Sequence, residues 1–423
     1  MREMKDSGVA WIGEVPLDWT IIPTKYLFNI ESGATPRSEN PDYFDGDIVW
    51  ITPADYKTKD VYISAGKRYL TKNGFDSCSA VVVPAGSIIF TKRAPIGNVA
   101  ICATELCTNQ GCLSCVPKAG DSTKFFYYLM SICTDAYNLL GSGTTFKEIS
   151  AFSFANFILI RPMLQEQQKI AAYLDKQTAQ VDALITNIQT QIEKLKAYKQ
   201  SMITEVVTKG LDPTVPMKDS GVEWIGEIPA HWKIQRGKAL FKETDARSAD
   251  GSEELLTVSQ YTGITPRSQK NVTMFEALSL EGYKICEIGD IAANTMWLWA
   301  GAIGVSEYRG VVSPSYNVYR QRSNNFAPRY LDHLLRAPML VQEYDSLSTG
   351  IRASRLRLYP KDFFNIMFPV PPLEEQQAIL DALNSKLSAV DRLIAIKQAK
   401  IEKLEQYKRS LIYEYVTGKR EVI

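Results

Sequence analysis

Residues 164–208 read LQEQQKIAAYLDKQTAQVDALITNIQTQIEKLKAYKQSMITEVVT and contain neither glycine nor proline. Pro162 precedes this stretch and Gly210 follows it, which is typical of the start and the stop of a helix. The stretch is repeated as LEEQQAILDALNSKLSAVDRLIAIKQAKIEKLEQYKRSLIYEYVT at residues 373–417, with 22 of 45 positions identical. Pro371, Pro372 and Gly418 flank this copy in the same way. We therefore predict two long helices.

Apolar residues recur every seven positions along both helices, which is the spacing of a coiled coil. The first set is Leu174, Val181, Ile188, Leu195 and Met202, flanked by Leu184 and Ile185, and the second is Leu383, Val390, Leu404 and Leu411, flanked by Leu393, Ile394 and Ile401. Lys397 takes the place of Ile188 in the second set, where it either fixes the register or extends past the interface. Pairing of the two helices with each other is favoured over pairing with another subunit. An antiparallel pair would place two inserted domains at opposite ends of a shared spacer, with a pseudo-two-fold internal repeat.

A second repeat lies before each helix. Residues 4–28 read MKDSGVAWIGEVPLDWTIIPTKYLF and residues 217–241 read MKDSGVEWIGEIPAHWKIQRGKALF, with 16 of 25 positions identical. The segments between these repeats and the helices are far less similar, although their lengths are nearly equal. We therefore predict six regions. They are an N-terminal framework segment at 1–28, a first insert at 29–161, a central helix and linker at 162–216, a repeated framework segment at 217–241, a second insert at 242–370 and a C-terminal helix at 371–423.

Each insert has the pattern of a mixed α/β domain. In the first insert, short apolar runs at 47–52, 80–83, 87–91 and 98–103 predict strands, and an amphipathic segment at 123–140 predicts a helix. In the second, runs at 289–294, 302–306 and 316–320 precede a predicted helix at 328–346. The same order of elements predicts that both inserts share a fold and present different side chains.

Composition excludes several classes of protein. The chain has 423 residues, 45% hydrophobic and 22% charged, which excludes a mostly disordered or disulfide-stapled protein. No apolar run reaches the length of a membrane helix and no signal peptide is recognisable, so we expect a cytoplasmic protein without a membrane partner. The formal net charge is +1, and each insert has equal numbers of acidic and basic residues by our count. Any nucleic-acid binding must therefore depend on local patches.

The search for catalytic and metal sites yields two weak patterns. Cys102, Cys107, Cys112 and Cys115 fall close together, but their spacing is unlike that of zinc knuckles, and packed thiols are favoured over zinc. Pro41-Asp42 followed by Asp55-Tyr56-Lys57 has the residue order of metal-dependent nucleases, without a counterpart in the second insert. The chain has no phosphate-binding glycine loop and no methyltransferase motif. His231 and His333 are predicted to be structural. We predict no catalytic and no metal-binding residues.

Local basic and hydroxyl side chains are the candidates for DNA contacts, because such groups bind phosphates and base edges. In the first insert they are Lys57, Lys59, Lys92, Arg93, Thr144, Thr145 and Lys147, and in the second they are Arg267, Lys270, Arg352, Ser354, Arg355 and Arg357. For any single one of them, an ordinary solvated surface position is the more frequent explanation.

Taken together, these motifs resemble the DNA specificity subunit of type I restriction-modification systems. They are W-I-G-E-[VI]-P followed by a tryptophan, a variable insert that ends in G-T-T-F-K-E-I at 143–149, and P-x-x-x-E-Q-Q before a glycine-free helix. The resemblance spans nearly the whole chain, and the order and duplication of the motifs make it specific. The second insert departs from it with Ser348-Thr349-Gly350-Ile351-Arg352-Ala353-Ser354, which fits a different half-site.

The resemblance implies a host-defence protein of bacteria or archaea without catalysis of its own. The inserts would be target recognition domains that each read half of a bipartite DNA sequence. Two modification subunits would supply adenine-N6 methylation with S-adenosylmethionine, and two restriction subunits would supply translocation and cleavage with ATP and Mg²⁺. No cofactor is expected on this chain. The residues assigned to the framework by this resemblance are Trp11, Pro16, Trp19, Trp224, Pro229 and Trp232, and those that open the helices are Leu164, Gln167, Gln168, Leu373, Gln376 and Gln377.

Two other functions stay open on the sequence alone. The first is an autonomous Mg²⁺-dependent nuclease, which would cut DNA without any partner. The second is a coiled-coil scaffold whose inserts bind protein, which would show no salt-dependent DNA binding in its complex.

Overall fold

The chain divides into two units, Met1–Ile188 with Ala399–Ile423 and Gln189–Gln398. The computed structural model describes residues 2–56, 60–118, 120–143, 147–270, 279–350 and 356–422. Each unit contains one framework repeat and one insert, together with part of each long helix. The predicted mixed α/β class is confirmed by strands and helices in both units.

The first unit contains a five-stranded and a three-stranded sheet. Its strands are β1 (Met4–Asp6), β2 (Glu14–Pro16), β3 (Thr20–Pro23), β4 (Phe28–Ser32), β5 (Phe44–Ile51), β6 (Tyr62–Ile63), β7 (Arg68–Leu70), β8 (Ile88–Thr91), β9 (Val99–Cys102), β10 (Cys107–Thr108), β11 (Cys112–Pro117) and β12 (Ile158–Arg161). Its helices are α1 (Thr24–Leu27), α2 (Lys72–Asp76), α3 (Thr123–Ser131), α4 (Thr134–Leu140), α5 (Ala151–Ala155) and the start of α6 (Leu164–Lys209). The sheet orders are β4-β11-β8-β9-β6 and β10-β5-β7, and the framework strands pair as β1-β2 and β3-β12.

The second unit contains a four-stranded sheet and four strand pairs. Its strands are β13 (Met217–Asp219), β14 (Glu227–Pro229), β15 (Lys233–Arg236), β16 (Phe241–Thr244), β17 (Leu256–Ser259), β18 (Gly263–Pro266), β19 (Lys284–Cys286), β20 (Ile291–Ala293), β21 (Ile303–Val305), β22 (Gly310–Val312), β23 (Asn317–Gln321) and β24 (Met367–Val370). Its helices are α7 (Gly237–Leu240), α8 (Pro328–Leu335), α9 (Pro338–Leu347), α10 (Pro360–Phe363) and the start of α11 (Leu373–Val416). The four-stranded order is β16-β23-β20-β21, and the pairs are β13-β14, β15-β24, β17-β18 and β19-β22.

The register of the two main sheets is the same. Ile88 of β8 pairs with Cys115 on one side and with Ile101 on the other. Ile291 of β20 pairs with Tyr319 and Val305 in the corresponding strands. The order β4-β11-β8-β9 therefore corresponds to β16-β23-β20-β21, and the two inserts share this sheet although few of their side chains agree.

Two sequence-based predictions of local structure are wrong. The run 80–83 forms no strand, because only Val83 makes a bridge, with Leu106, before Pro84 ends the pairing. Each predicted insert helix is instead two helices, α3 with α4 and α8 with α9. In the second insert the break precedes Pro338, whose ring forces Ala337 into an extended conformation, with φ −63° and ψ 134°.

The two long helices are confirmed as α6 and α11. Gly210 and Gly418 follow their ends with φ of +76° and +72°, the left-handed conformation that lets a helix terminate. Of the predicted seam residues, those that are buried are Leu174, Val181, Ile185, Ile188, Met202, Leu383, Val390, Ile401 and Leu411, and those that are half-buried are Leu195, Ile394 and Leu404. Leu184 and Leu393 are about half exposed. The buried residues of α6 follow one another at alternating spacings of four and three residues, and Thr178 and Ile192 belong to this series. Leu184 lies beside the series.

Within each unit the long helices run antiparallel. In the first unit the rings of Tyr173 and Tyr415 lie 4.5 Å apart, and Asp182 forms an ion pair of 2.7 Å with Lys408. In the second unit Lys397 donates to Gln191, and Lys199 forms an ion pair of 2.7 Å with Asp391. In both units, rising residue numbers on α6 meet falling numbers on α11. The polar contact of Lys397 is consistent with a role in setting the register.

None of the helices in the part of the chain that the structure describes has both the length and the apolarity needed to cross a membrane.

Candidate nucleic-acid interface

Two segments of the first insert that are far apart in sequence meet at one edge of its sheet. The first is the loop 92–97, which joins β8 to β9. The second precedes α5 and contains Lys147, Glu148 and Ile149. The Ile149 backbone N–H donates to the Lys92 carbonyl at 3.0 Å, and Arg93 forms a backbone bridge with Glu148. The structure therefore brings three predicted DNA-contacting residues, Lys92, Arg93 and Lys147, into one cluster.

Glu148 neutralises much of the charge of this cluster. Its carboxylate forms an ion pair of 2.8 Å with Lys92 and one of 3.3 Å with Arg93. The hydrogen bond from Lys92, together with the two positive charges, holds the pKa of Glu148 below its usual range. Lys147 is exposed and forms no ion pair with any residue that the structure describes. Among the described residues of this edge, Lys147 is therefore a cation without an ion pair, whereas Lys92 and Arg93 form a network in which Glu148 fixes their position.

The second insert has a loop at the same place in the sheet. The Thr91 N–H donates to the Asn98 carbonyl at 2.9 Å, and the Asn294 N–H donates to the Ala302 carbonyl at 2.9 Å. The loop 295–301 therefore corresponds to the loop 92–97. Gly97 and Gly301 close the two loops with φ of +98° and +84°. Where the first loop begins with Lys92-Arg93, the second begins with Thr295-Met296-Trp297.

Arg357 occupies the position that Glu148 has in the first insert. Thr349 and Arg357 exchange two backbone hydrogen bonds of 3.0 and 2.9 Å, as Ser142 and Glu148 do in the first insert. The Arg357 side chain is exposed, and it forms no ion pair within the described ranges. The sign of the charge at this position is therefore opposite in the two inserts, so the two surfaces differ in the ligand that they would bind.

Arg267 and Lys270 lie beside the hairpin formed by β17 and β18. Arg267 begins a single turn of 3₁₀ helix after β18, and the Lys270 ammonium donates to the Thr262 hydroxyl at 2.8 Å. Burial and the positive charge of Arg267 lower the pKa of Lys270. Arg267 and Lys270 are close enough for their charges to interact, and Lys270 forms no ion pair with a residue that the structure describes, so the two form a further basic site on this insert. The remaining predicted DNA-contacting residues, which lie outside the described residues, are Lys57, Lys59, Thr144, Thr145, Arg352, Ser354 and Arg355.

A repeated tryptophan–glutamate contact joins each framework segment to its long helix. The Trp19 indole N–H donates to Glu166 at 2.9 Å, and the Trp232 indole N–H donates to Glu375 at 3.0 Å. Both tryptophans are fully buried. The sequence analysis does not predict this contact, although its signal is visible: each tryptophan belongs to the framework repeat, and each glutamate belongs to the E-Q-Q motif of the helix repeat.

The first glutamine of each E-Q-Q motif joins the long helix to the insert. Gln167 accepts from the Ser122 N–H at 2.8 Å and donates to Asp121 and the Pro162 carbonyl. Gln376 accepts from the Ala327 N–H at 2.8 Å and donates to the Asn325 and Pro371 carbonyls. Both side chains are fully buried, whereas the following glutamines are exposed. This contact fixes the start of α3 or α8 on the helix that follows the insert.

We expect the substitution Gln376→Leu to lower the stability of the second unit by about 2 to 4 kcal/mol. The leucine removes three hydrogen bonds and leaves the Ala327 N–H and two carbonyls buried without partners. A lower midpoint of thermal unfolding, followed by circular dichroism, measures the loss. The matched control is Gln377→Leu on the adjacent exposed position, which should leave the midpoint almost unchanged. Equal midpoints for the two variants would contradict the role of Gln376.

Asp55 of the nuclease pattern and the four clustered cysteines have structural roles. Both carboxylate oxygens of Asp55 accept hydrogen bonds, from the Thr52 N–H and hydroxyl and from the Lys67 N–H. The four clustered cysteines are free and buried, and burial raises the pKa of Cys102, Cys107 and Cys112 to about 12. Within the described ranges, no group of three or more His, Cys, Asp or Glu side chains could hold a metal ion.

Comparison with known proteins gives one family. The model of the type I restriction modification DNA specificity domain matches residues 16–194 and, a second time, residues 233–406. The MjaIX specificity subunit of a type I restriction enzyme of Methanocaldococcus jannaschii is 33% identical over 249 residues, which cover 57% of this chain and 56% of that protein. The MjaVIII specificity subunit of the same organism is 26% identical over 312 residues, 70% of each chain.

A solved structure has the same fold. A chain from a study of complex assembly and conformational transition of the type I R-M system superposes with a TM-score of 0.68 at 17% identity. The match covers 96% of this chain and 99% of that chain.

Proposed function

This chain belongs to the type I restriction-modification DNA specificity family, and from that premise we propose that it is the non-catalytic subunit that directs such a complex to a bipartite DNA sequence. The observation that carries the proposal is the double match of the family model to two units that present different side chains at the same loop. The first unit offers Lys92 and Arg93 with Glu148 there. The second offers Met296 and Trp297, with Arg357 at the position of Glu148. Each insert would read one half-site.

The repeated framework supports a stoichiometry of two modification subunits for each chain. The buried contacts of Trp19 with Glu166 and of Trp232 with Glu375 fix each framework segment on its long helix in the same way, so one kind of partner would find two equivalent docking sites. Two restriction subunits would complete the assembly. S-adenosylmethionine, ATP and Mg²⁺ would be bound by these partners rather than by this chain, and the complex would act in the cytoplasm, where the DNA is found.

The residues support neither alternative function. Asp55, the central carboxylate of the nuclease pattern, is occupied by three hydrogen bonds within its own loop. A scaffold for protein partners alone has no need for two inserts of the DNA specificity family.

The test is to express the chain with the modification subunit of its own system in a host without adenine methylation. Single-molecule sequencing should find methylated adenines in both halves of one interrupted motif, and only when this chain is present. The purified complex should have the mass of one chain with two modification subunits. Methylation by the modification subunit alone, or a chain that stays monomeric beside it, would contradict the proposal.

We expect the substitution Lys147→Ala to weaken DNA binding by the assembled complex. If Lys147 reads a base, the loss is about 1 to 3 kcal/mol on the specific site, with relaxed specificity at one position. If it contacts a phosphate, binding weakens equally on specific and random DNA, and the slope of log K against log salt falls by about 1. Fluorescence anisotropy at several salt concentrations separates these results. The control is Lys176→Ala, because Lys176 is an exposed lysine of α6 that also lacks an ion pair among the described residues. Wild-type affinity and salt slope for the Lys147 variant would remove it from the interface.

A further inference from the structure

The loop 295–301 of the second insert exposes a large aromatic surface. Trp297 is 51% exposed and Met296 is 42% exposed. The ring of Trp297 stacks on that of Trp299, with centroids 5.6 Å apart and an angle of 26° between the planes. The indole N–H of Trp297 has no acceptor among the residues that the structure describes. One face of Trp297 is therefore left to solvent, whereas the other six tryptophans of the chain are buried or half-buried.

The loop that carries this surface is held firmly at its base. Leu298 is fully buried, and the Trp297 N–H donates to the Asn294 carbonyl at 2.9 Å. The Trp299 indole N–H donates to the Met296 carbonyl at 2.9 Å. Gly301 turns the chain back with a φ of +84°, and a Cβ at this position would lie 3.0 Å from Val341. Because the backbone is ordered in advance, Trp297 would lose little conformational freedom on binding.

The position of the loop indicates what it binds. It corresponds to the loop of Lys92 and Arg93, at the sheet edge where the first insert gathers its basic side chains. In the second insert the corresponding cation is Arg357, which lies at the position that Glu148 has in the first insert. An exposed aromatic face, together with an arginine that forms no ion pair among the described residues, is a combination that suits a nucleobase and its phosphate. A protein partner would instead be expected to meet a broader apolar area with charged residues at its rim.

We propose that Trp297, supported by Trp299, inserts against a base step of the second half-site and partly unstacks it. This inference rests on the proposed function and adds to it a mode of recognition that differs between the two inserts. The first insert would read its half-site with polar side chains. The second would also read how easily its half-site deforms, so that this half should contain a flexible pyrimidine–purine step at the contacted position.

The experiment uses the complex of the full chain with its modification subunits and DNA that carries the methylated motif. The adenine analogue 2-aminopurine is placed at successive positions of the second half-site, because its fluorescence rises when it loses stacking. The variants are Trp297→Ala, Trp297→Phe and the control Ile288→Ala. Ile288 is a matched control because it is 69% exposed at the turn before β20, whereas the loop of Trp297 follows the other end of that strand.

The wild-type complex should raise 2-aminopurine fluorescence at one position, and Trp297→Ala should abolish this rise. That variant should weaken specific binding by about 5- to 150-fold, the range for loss of one stacked base. Trp297→Phe should restore most of the signal, and Ile288→Ala should behave as wild type. Wild-type binding and fluorescence in Trp297→Ala would overturn the inference, as would an equal loss on random DNA or a loss of modification subunits without a change in DNA binding. A wild-type complex without any specific binding would instead overturn the proposed function.

Discussion

Replacing residues 29–161 with the first insert of another family member is expected to change one half of the methylated motif completely. The other half and the spacer should stay as they were, because the second insert and both helices are untouched. Each mismatched base pair costs about 1 to 3 kcal/mol of specific binding. A half-site with several changed bases should therefore no longer be methylated at a measurable level.

The structure shows where such a graft must be matched. β3 of the framework pairs with β12, which ends the insert, and the Thr24 N–H and hydroxyl both donate to the Phe157 carbonyl. Tyr128 of the insert donates to Asp175 of α6 at 2.8 Å, and Asp121 accepts from Gln167. The grafted insert should keep a hydrogen-bond acceptor at the position of Asp121 and a hydrogen-bond partner for Asp175. The variant in which the grafted insert keeps Asp121 and Tyr128 then tests specificity without disturbing the contacts to the framework and to α6.

The reciprocal exchange of residues 242–370 is the control. It should change the other half and keep the first, as measured by sequencing methylated adenines in the same host. Either exchange that alters both halves, or neither, would show that the inserts do not read DNA independently.

Lengthening both long helices is expected to lengthen the gap between the two halves of the motif. The boundary between the units falls at Ile188–Gln189 in α6 and at Gln398–Ala399 in α11. Four residues added at each place extend each helix by about 6 Å and rotate it by about 40° beyond one turn. One base pair of DNA rises 3.4 Å and turns about 35°. The gap should therefore grow by about one to two base pairs, with both recognised halves preserved.

The place of insertion is decided by the structure. From the sequence, the junction around Val207 to Gly210 looks preferable, because it lies beyond most of the apolar seam. Val207 is fully buried, however, and its carbonyl accepts from the Tyr330 hydroxyl at 2.8 Å, so added residues there would disturb the core of the second unit.

Methylome sequencing of the variant with both insertions measures the gap. The control adds four residues to α6 alone, which should break the pairing with α11 and abolish methylation. An active double variant with the original gap would show that the helices do not set the spacing.

Features that depend on neighbouring residues were predictable. The absence of glycine and proline over 45 residues, with an apolar residue at every seventh position, is sufficient for a long paired helix, because helical geometry repeats locally. The duplication itself predicted that two inserts share a fold, and the common strand register of Ile88 and Ile291 agrees with this. Leu184 and Leu393 were assigned wrongly to the seam, because an apolar residue next to a seven-residue repeat is not necessarily within reach of the partner helix.

The composition of the edge proposed to contact DNA was decided by tertiary structure. Lys92 and Glu148 are 56 positions apart, and only the pairing of Ile149 with Lys92 places the carboxylate against two cations that the sequence shows as an isolated basic pair. The same holds for Trp297, which was not among the predicted contacts. From a sequence pattern, an apolar residue is predicted to lie in the core. Only the register of the sheet shows that this tryptophan is exposed at the place where the other insert has its basic loop. The sequence by itself determined the repeat and the long helices, because helical periodicity is local, and its duplicated motifs carried the resemblance to the family. The chemistry of each interface depends on which distant segments a sheet brings together, and only the folded chain decides that.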